Sequence, residues 1–96
     1  MSAVTAQAVA LTGSDQTVKS AAAIYRGFAL RETSGSATAT VRIYDGTSAS
    51  GTLLDSVQLA AGESAREWYG DGGIKAITGI YVDVVSGAVE GSVRVG

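Results

Sequence analysis

Glu63-Ser-Ala-Arg-Glu-Trp-Tyr-Gly-Asp-Gly-Gly-Ile-Lys-Ala-Ile-Thr-Gly-Ile-Tyr-Val-Asp-Val-Val-Ser-Gly-Ala-Val-Glu-Gly-Ser-Val-Arg-Val95 holds the single tryptophan of the chain, a glycine-rich corner, and two alternating runs around Ser86-Gly87. Ser-Gly between alternating segments is a two-residue hairpin signal. Folded about that turn, Val84 faces Val89, Asp83 faces Glu90, Val82 faces Gly91 and Ile80 faces Val93. Side chains alternate along a strand, so Ile80, Val82, Val84, Val89 and Val93 share one apolar face. A slip of one residue would turn that face to water, which specifies the register. Gly91 interrupts the row, as a glycine does at a bulge or where another backbone comes close. The same register sets Asp83 against Glu90, and like charges opposed across a strand pair are unfavourable. Two readings follow: both carboxylates lie in water near an arginine, or a partner's cation or a calcium ion uses the pair.

Outward from this stretch, the chain keeps the same habit. Ala3 to Leu11 reads as a strand or an arm, with Thr5, Gln7, Val9 and Leu11 on one side and Val4, Ala6, Ala8 and Ala10 on the other; its alanines also permit a short helix, and a frayed terminus is a further competing reading. Residues 1–20 are thus expected as an N-terminal arm or edge strand. Thr12 to Asp15 is turn material, and Gln16 to Ala22 is weakly extended. Ala23 to Arg31 is a full strand, with Arg26 sharing the face of Ile24, Phe28 and Leu30. An arginine there points to a bulge near Gly27 or to an interface. Ala37 to Asp45 turns Ala37, Ala39, Val41 and Ile43 inward, and Thr52 to Ala60 returns to pair with it around a loop of small residues. Asp55 breaks the face of Leu53, Val57 and Leu59, which marks a bulge or a sheet edge. Trp68, the largest apolar side chain, belongs in the core or at the rim.

Composition agrees with a strand-rich chain. Thirteen glycines and no proline among 96 residues leave the turns to glycine. About seven or eight short strands with glycine-bearing turns give an all-β fold, a compact antiparallel β-sandwich or jelly-roll-like barrel, in a single domain. So short a chain builds a thin core that contacts with sister copies would reinforce.

Chemistry is sparse. With no cysteine and no histidine, disulfides, thiolate chemistry and the commonest general base are excluded. The formal charge of −2 and a pI near 4.8 speak against a nucleic-acid module. No run of membrane-spanning length occurs, and the first residues lack the pattern of a secretory leader. Gly70-Asp-Gly-Gly73 lacks the lysine and following helix of a phosphate cradle. Asp45-Gly-Thr-Ser lacks the remaining oxygen ligands of a calcium loop. No nucleophile has a base partner, so no enzyme, cofactor or metal is expected. Tyr25, Tyr44, Trp68, Tyr69 and Tyr81 remain. Tyrosine and tryptophan are enriched at interface hot spots, and these rings, with Arg26 and Arg66 as polar anchors, are the expected interface.

Arg26-Gly-Phe-Ala-Leu-Arg-Glu-Thr33, Val41-Arg-Ile-Tyr-Asp-Gly-Thr47, Leu59-Ala-Ala-Gly-Glu-Ser64, Trp68-Tyr-Gly70 and Gly79-Ile-Tyr-Val-Asp-Val84 together resemble small virion proteins of tailed bacteriophages, especially those of actinobacterial hosts. The resemblance runs from Tyr25 onward and implies a capsid decoration (head cement) protein or a related structural protein. It further implies a homotrimer, made in the host cytoplasm, that sits on the major capsid protein or another virion protein without touching nucleic acid or membrane. The alternative expectation is a carbohydrate-binding or host-adhesion module of a phage virion, with Trp68 and Tyr69 stacking on sugar rings.

Overall fold

The structure, a computed structural model, describes residues 6–96. Residues 1–5 of the expected N-terminal arm lie outside them. Among the described residues the chain forms strands β1 (Gln7–Ala10), β2 (Gln16–Lys19), β3 (Ala23–Glu32), β4 (Ala39–Asp45), β5 (Thr52–Leu59), β6 (Ser64–Trp68), β7 (Ile74–Ala76), β8 (Ile80–Ser86) and β9 (Val89–Val95), and no helix. Two antiparallel sheets face each other. One is five-stranded, ordered β1-β9-β3-β6 with β7 also on β3; the other is four-stranded, ordered β2-β8-β4-β5. The sheets do not close into a barrel, so that half of the expectation is corrected to an open sandwich. There are also more strands than expected, because β6 and the three-residue β7 lie end to end along β3.

Alternation places the core. Tyr25, Phe28, Leu30, Val89, Val93 and Val95 come from one sheet; Ala39, Val41, Ile43, Val57, Leu59, Ile80 and Val82 come from the other, all buried. Each fully buried Val, Leu, Ile or Phe contributes about 1.5–3 kcal/mol relative to leaving it in water. The Cα trace is only 17 Å across its shortest axis. Two sheets about 10 Å apart give that thickness, with Ala76 completing the buried set and Val9, Leu11 and Ile74 packing against it.

The expected hairpin at Ser86-Gly87 does not form. β8 pairs with β2 and β4, whereas β9 pairs with β1 and β3. The dipeptide instead carries the chain from one sheet to the other. Gly87 has φ +84°, and a Cβ there would come within 2.6 Å of the Ala39 Cβ, so only glycine makes this corner. The apolar positions still all face the core, because alternation says which side is buried and not which strand lies alongside. Asp83 consequently stands opposite Arg42. Glu90 stands opposite Arg31, with their charged groups 3.6 Å apart. The expected opposition of two carboxylates is replaced by two pairs of opposite sign.

Other local readings survive with their reasons. β4 and β5 form the expected hairpin. The shift between Ile43 and Tyr44 makes Leu54 an extra residue on edge strand β5, so Leu53 turns out, 50% exposed, and Asp55 turns in. β3 carries its bulge at Arg26, where the pairing with β9 skips from Tyr25 to Gly27. Parity therefore changes there, and Tyr25, expected on the outer side, enters the core. Gly91 sits where a Cβ would run into the Ala29 carbonyl oxygen, the close backbone approach its place in the apolar row suggests. In β1, Val9 and Leu11 beyond it pack on the core, and the strand is an edge of its sheet.

Candidate interaction surfaces

Most polar groups turned inward are occupied in holding the fold; among the described residues the Arg26 Nε is the buried side-chain polar atom left without a partner. Asp55 reaches across from β5, and its Oδ2 accepts hydrogen bonds from the Tyr25 hydroxyl at 2.9 Å and the Tyr69 hydroxyl at 2.6 Å. The two rings lie 5.7 Å apart, tilted by 52°, within the range of favourable aromatic pairs. Burial first, and then the Asp55 carboxylate, push the Tyr25 hydroxyl far above the ordinary phenol range. Tyr69 shifts the same way, again from burial and then its bond to Asp55. This three-residue bridge ties one sheet to the other.

Arg26 is only 2% exposed. Its bulge falls opposite the break between β6 and β7, and its guanidinium donates to the carbonyl oxygens of Gly70 and Asp71. The glycine-rich corner is thus fastened to β3 by a side chain that the bulge aims at it. Glu32, 1% exposed, accepts from the backbone N–H groups of Ser34, Gly35 and Gly62. The Ser34 hydroxyl foremost, then the Gly62 N–H, hold its carboxyl down at about 2. Asp45 accepts from Ile77, Thr78 and Gly79, which lowers its pKa, the Ile77 bond contributing most. Its loop is a backbone clamp. Among the described residues, no group of three or more potential metal ligands comes together.

Two outer faces are left for contact with anything else. On the four-stranded sheet, Thr17, Tyr81, Tyr44 and Leu53 form one row across the strands. Beside it, Asp83 and Arg42 are paired across β8 and β4, and Asp15 accepts from the Val84 N–H. Burial and then the Asp15 carboxylate raise the pKa of Asp83, and Arg42 works against them. Tyr81 is raised by burial, then by Asp15 and Asp83. On the five-stranded sheet, register gives four rows: Glu90, Arg31 and Ser64; then Ala10, Ser92, Ala29 and Arg66; then Ala8, Arg94, Gly27 and Trp68; then Ile24 and Lys75. The small residues leave a trough of about 450 Å³ over Ala29, walled by Arg31, Arg66, Ser64 and Glu90. Trp68, 53% exposed, stands beside it.

The seven expected interface residues therefore separate. Tyr25 and Arg26 are buried inside the protomer and offer no surface to a partner. Tyr69 turns inward to Asp55. Adjacent residues on an extended chain point to opposite sides, so it makes no common platform with Trp68. Tyr44 and Tyr81 stand side by side on one outer face, and Arg66 and Trp68 share the other. Sequence reasoning passed over Arg31 and Arg94, although alternation with core residues Leu30, Val93 and Val95 already put each on the outer side of its own strand. It also passed over Asp55 as a buried acceptor, whose inward parity was its signal. Comparison of the chain with protein-family models, curated proteins and solved structures finds no match.

Proposed function

We propose that this chain is a non-enzymatic virion structural protein of a tailed bacteriophage, foremost a capsid decoration protein that strengthens the shell by its contacts. The observation that carries the reading is the strand order. With β6 and β7 taken as one broken strand, β1-β9-β3-β6 against β2-β8-β4-β5 is the double Greek-key order of jelly rolls, an architecture of viral capsid and lectin domains. This is a fold-level analogy, and folds host more than one function. Site chemistry adds support: Glu32, Asp45 and Asp55 spend their oxygens on backbone N–H groups and buried phenols, which leaves them occupied as fasteners. The protein would act by binding the assembled shell and favouring it by mass action, as a homotrimer or other oligomer.

The test is co-sedimentation of the purified chain with DNA-free shells of the encoding phage, alongside light scattering of the chain alone. Stoichiometric binding and a discrete oligomer are expected. A monomer at high concentration with no affinity for shells sinks the reading. Exposed Trp68 beside the polar trough favours a second reading, a glycan-binding adhesion module. Glycan-array signal abolished by Trp68→Ala would put that reading first.

A further inference from the structure

We infer that the outer face of the five-stranded sheet is a docking face for an acidic protein surface, one of whose carboxylates enters the trough between Arg31 and Arg66. The inference names partner chemistry for the structural role proposed above and rests on that reading only for who the partner is. Four of the seven basic residues of the chain, Arg31, Arg66, Lys75 and Arg94, stand on this one face, against Glu90 alone. The face is formally +3, so the remainder of a chain of net charge −2 carries −5. Among the described residues, neither Arg66 nor Arg94 has a carboxylate within ion-pair distance.

Arg31 already meets a carboxylate here, that of Glu90 at 3.6 Å, with both side chains 61% exposed. So open a pair holds weakly, about 0–1 kcal/mol, and yields readily to a better-placed acceptor. Guanidinium groups present a planar fork that matches a carboxylate with two hydrogen bonds. Ala29 at the floor and Gly27 opposite Trp68 keep the centre of the face low enough for a side chain to enter. Trp68 at the edge supplies apolar area that would shield the ion pairs from water.

Charge also selects among occupants. Two copies joined through this face by a two-fold axis would set arginines against arginines. A long nucleic acid running past the face would meet the excess negative charge of the rest of the molecule and Glu90 within the face. A compact acidic protein surface meets neither obstacle.

The experiment measures anisotropy of a dye-labelled oligoglutamate peptide titrated with the full chain, at about 20 mM and about 300 mM salt. Circular dichroism checks that every variant folds. Binding is expected at low salt and is lost at high salt. Arg66→Ala and Arg94→Ala should each weaken it by about tenfold. Arg66→Lys should recover part of the loss, and Arg42→Ala, the same charge change on the outer face of the other sheet, should leave affinity unaltered. No binding at low salt, equal weakening by Arg42→Ala, or equal or tighter binding of a labelled oligothymidylate would each overturn the inference. Shell co-sedimentation separates the two proposals. Shells that bind wild type and the Arg66→Ala/Arg94→Ala double variant alike end this inference and leave the structural role standing. Peptide binding without shell binding does the reverse.

Discussion

Removing the hydroxyl of Tyr25 tests the bridge between the sheets. Tyr25 is fully buried and donates to Asp55 at 2.9 Å, and Tyr69 donates to the same oxygen at 2.6 Å. A hydrogen bond to a charged acceptor is worth about 1.5–3 kcal/mol net. In Tyr25→Phe no donor is orphaned and Asp55 keeps the Tyr69 bond, so the loss should sit at the lower end, about 1.5 kcal/mol. For a domain of this size that lowers Tm by about 6–12 °C. Asp55→Ala is harsher, about 3–4 kcal/mol, because it strands a phenol O–H in a dry interior as well as breaking both bonds. Urea unfolding followed by circular dichroism on both single variants and the double variant gives the coupling, expected at about 1.5 kcal/mol. The pH dependence has a definite sign. Tyr25 ionises at higher pH folded than unfolded, so its contribution is complete below about pH 10 and is lost as pH rises beyond it. In that alkaline range stability should fall by about 1.4 kcal/mol per pH unit for this proton, and Tyr25→Phe should flatten the slope. A coupling under about 0.5 kcal/mol, with an alkaline slope unchanged by Tyr25→Phe, would show that hydroxyl and carboxylate do not meet in solution.

Glu32 gives the acid counterpart. Its carboxyl, held at about 2, contributes fully above the unfolded value of about 4.3 and loses that contribution as pH falls from there toward 2; Glu32→Gln should remove this part of the acid slope in urea titrations between those limits. Gly27→Ala should cost about 3 kcal/mol or more, since a Cβ meets the Glu67 carbonyl oxygen and φ is +140°; wild-type thermal stability in that variant would show that the bulge is absent. Leu59→Ala, from a fully buried position, should cost about 2–5 kcal/mol, whereas Leu53→Ala, half exposed because the Leu54 bulge turns it outward, should change stability by under about 1 kcal/mol. Comparable midpoints for the two leucine variants would reverse the assigned bulge.

How far the fold was legible depends on how local its causes are. Alternation in 80–95 and 37–45 placed Ile80, Val82, Val93, Val41 and Ile43 correctly in the core, because burial leaves a mark on each residue. Neighbours do not: Ser86-Gly87 is equally suited to a hairpin and to a crossing between sheets, and only the contact of Gly87 with Ala39, distant in sequence, decides it. Bulges lie between these cases. An arginine on an apolar face announced the one at Arg26, and Asp55 announced the one at Leu54. Neither said which way parity would change, and so Tyr25 was expected outside. The surface was least legible. Arg31, Arg66 and Arg94 come from β3, β6 and β9 and meet only through register.

The devices that secure the fold also bear on how the molecule can associate. A sandwich that does not close leaves four edges, here β1 and β6 on one sheet, β2 and β5 on the other. Open edges recruit strands from other chains unless something obstructs them. β5, the longest edge, has an extra residue at Leu54 and the inward carboxylate of Asp55. β2 is four residues long with a register shift between Thr17 and Lys19, β1 is equally short, and β6 carries Arg66 and Glu67. A bulge, a buried charge, shortness and exposed charge are the means by which natural sheets resist edge pairing. Asp55 thus serves twice, joining the sheets through Tyr25 and Tyr69 and spoiling the flat edge that another strand would need. With edge addition obstructed, association is left to the faces. Those faces differ: one is basic with a single tryptophan, the other carries two tyrosines and a balanced Asp83–Arg42 pair. A two-fold dimer sets a face against its own copy, which on the basic face would oppose like charges. The two faces suit a molecule that turns one side to a chemically different surface and keeps the other for a second kind of contact.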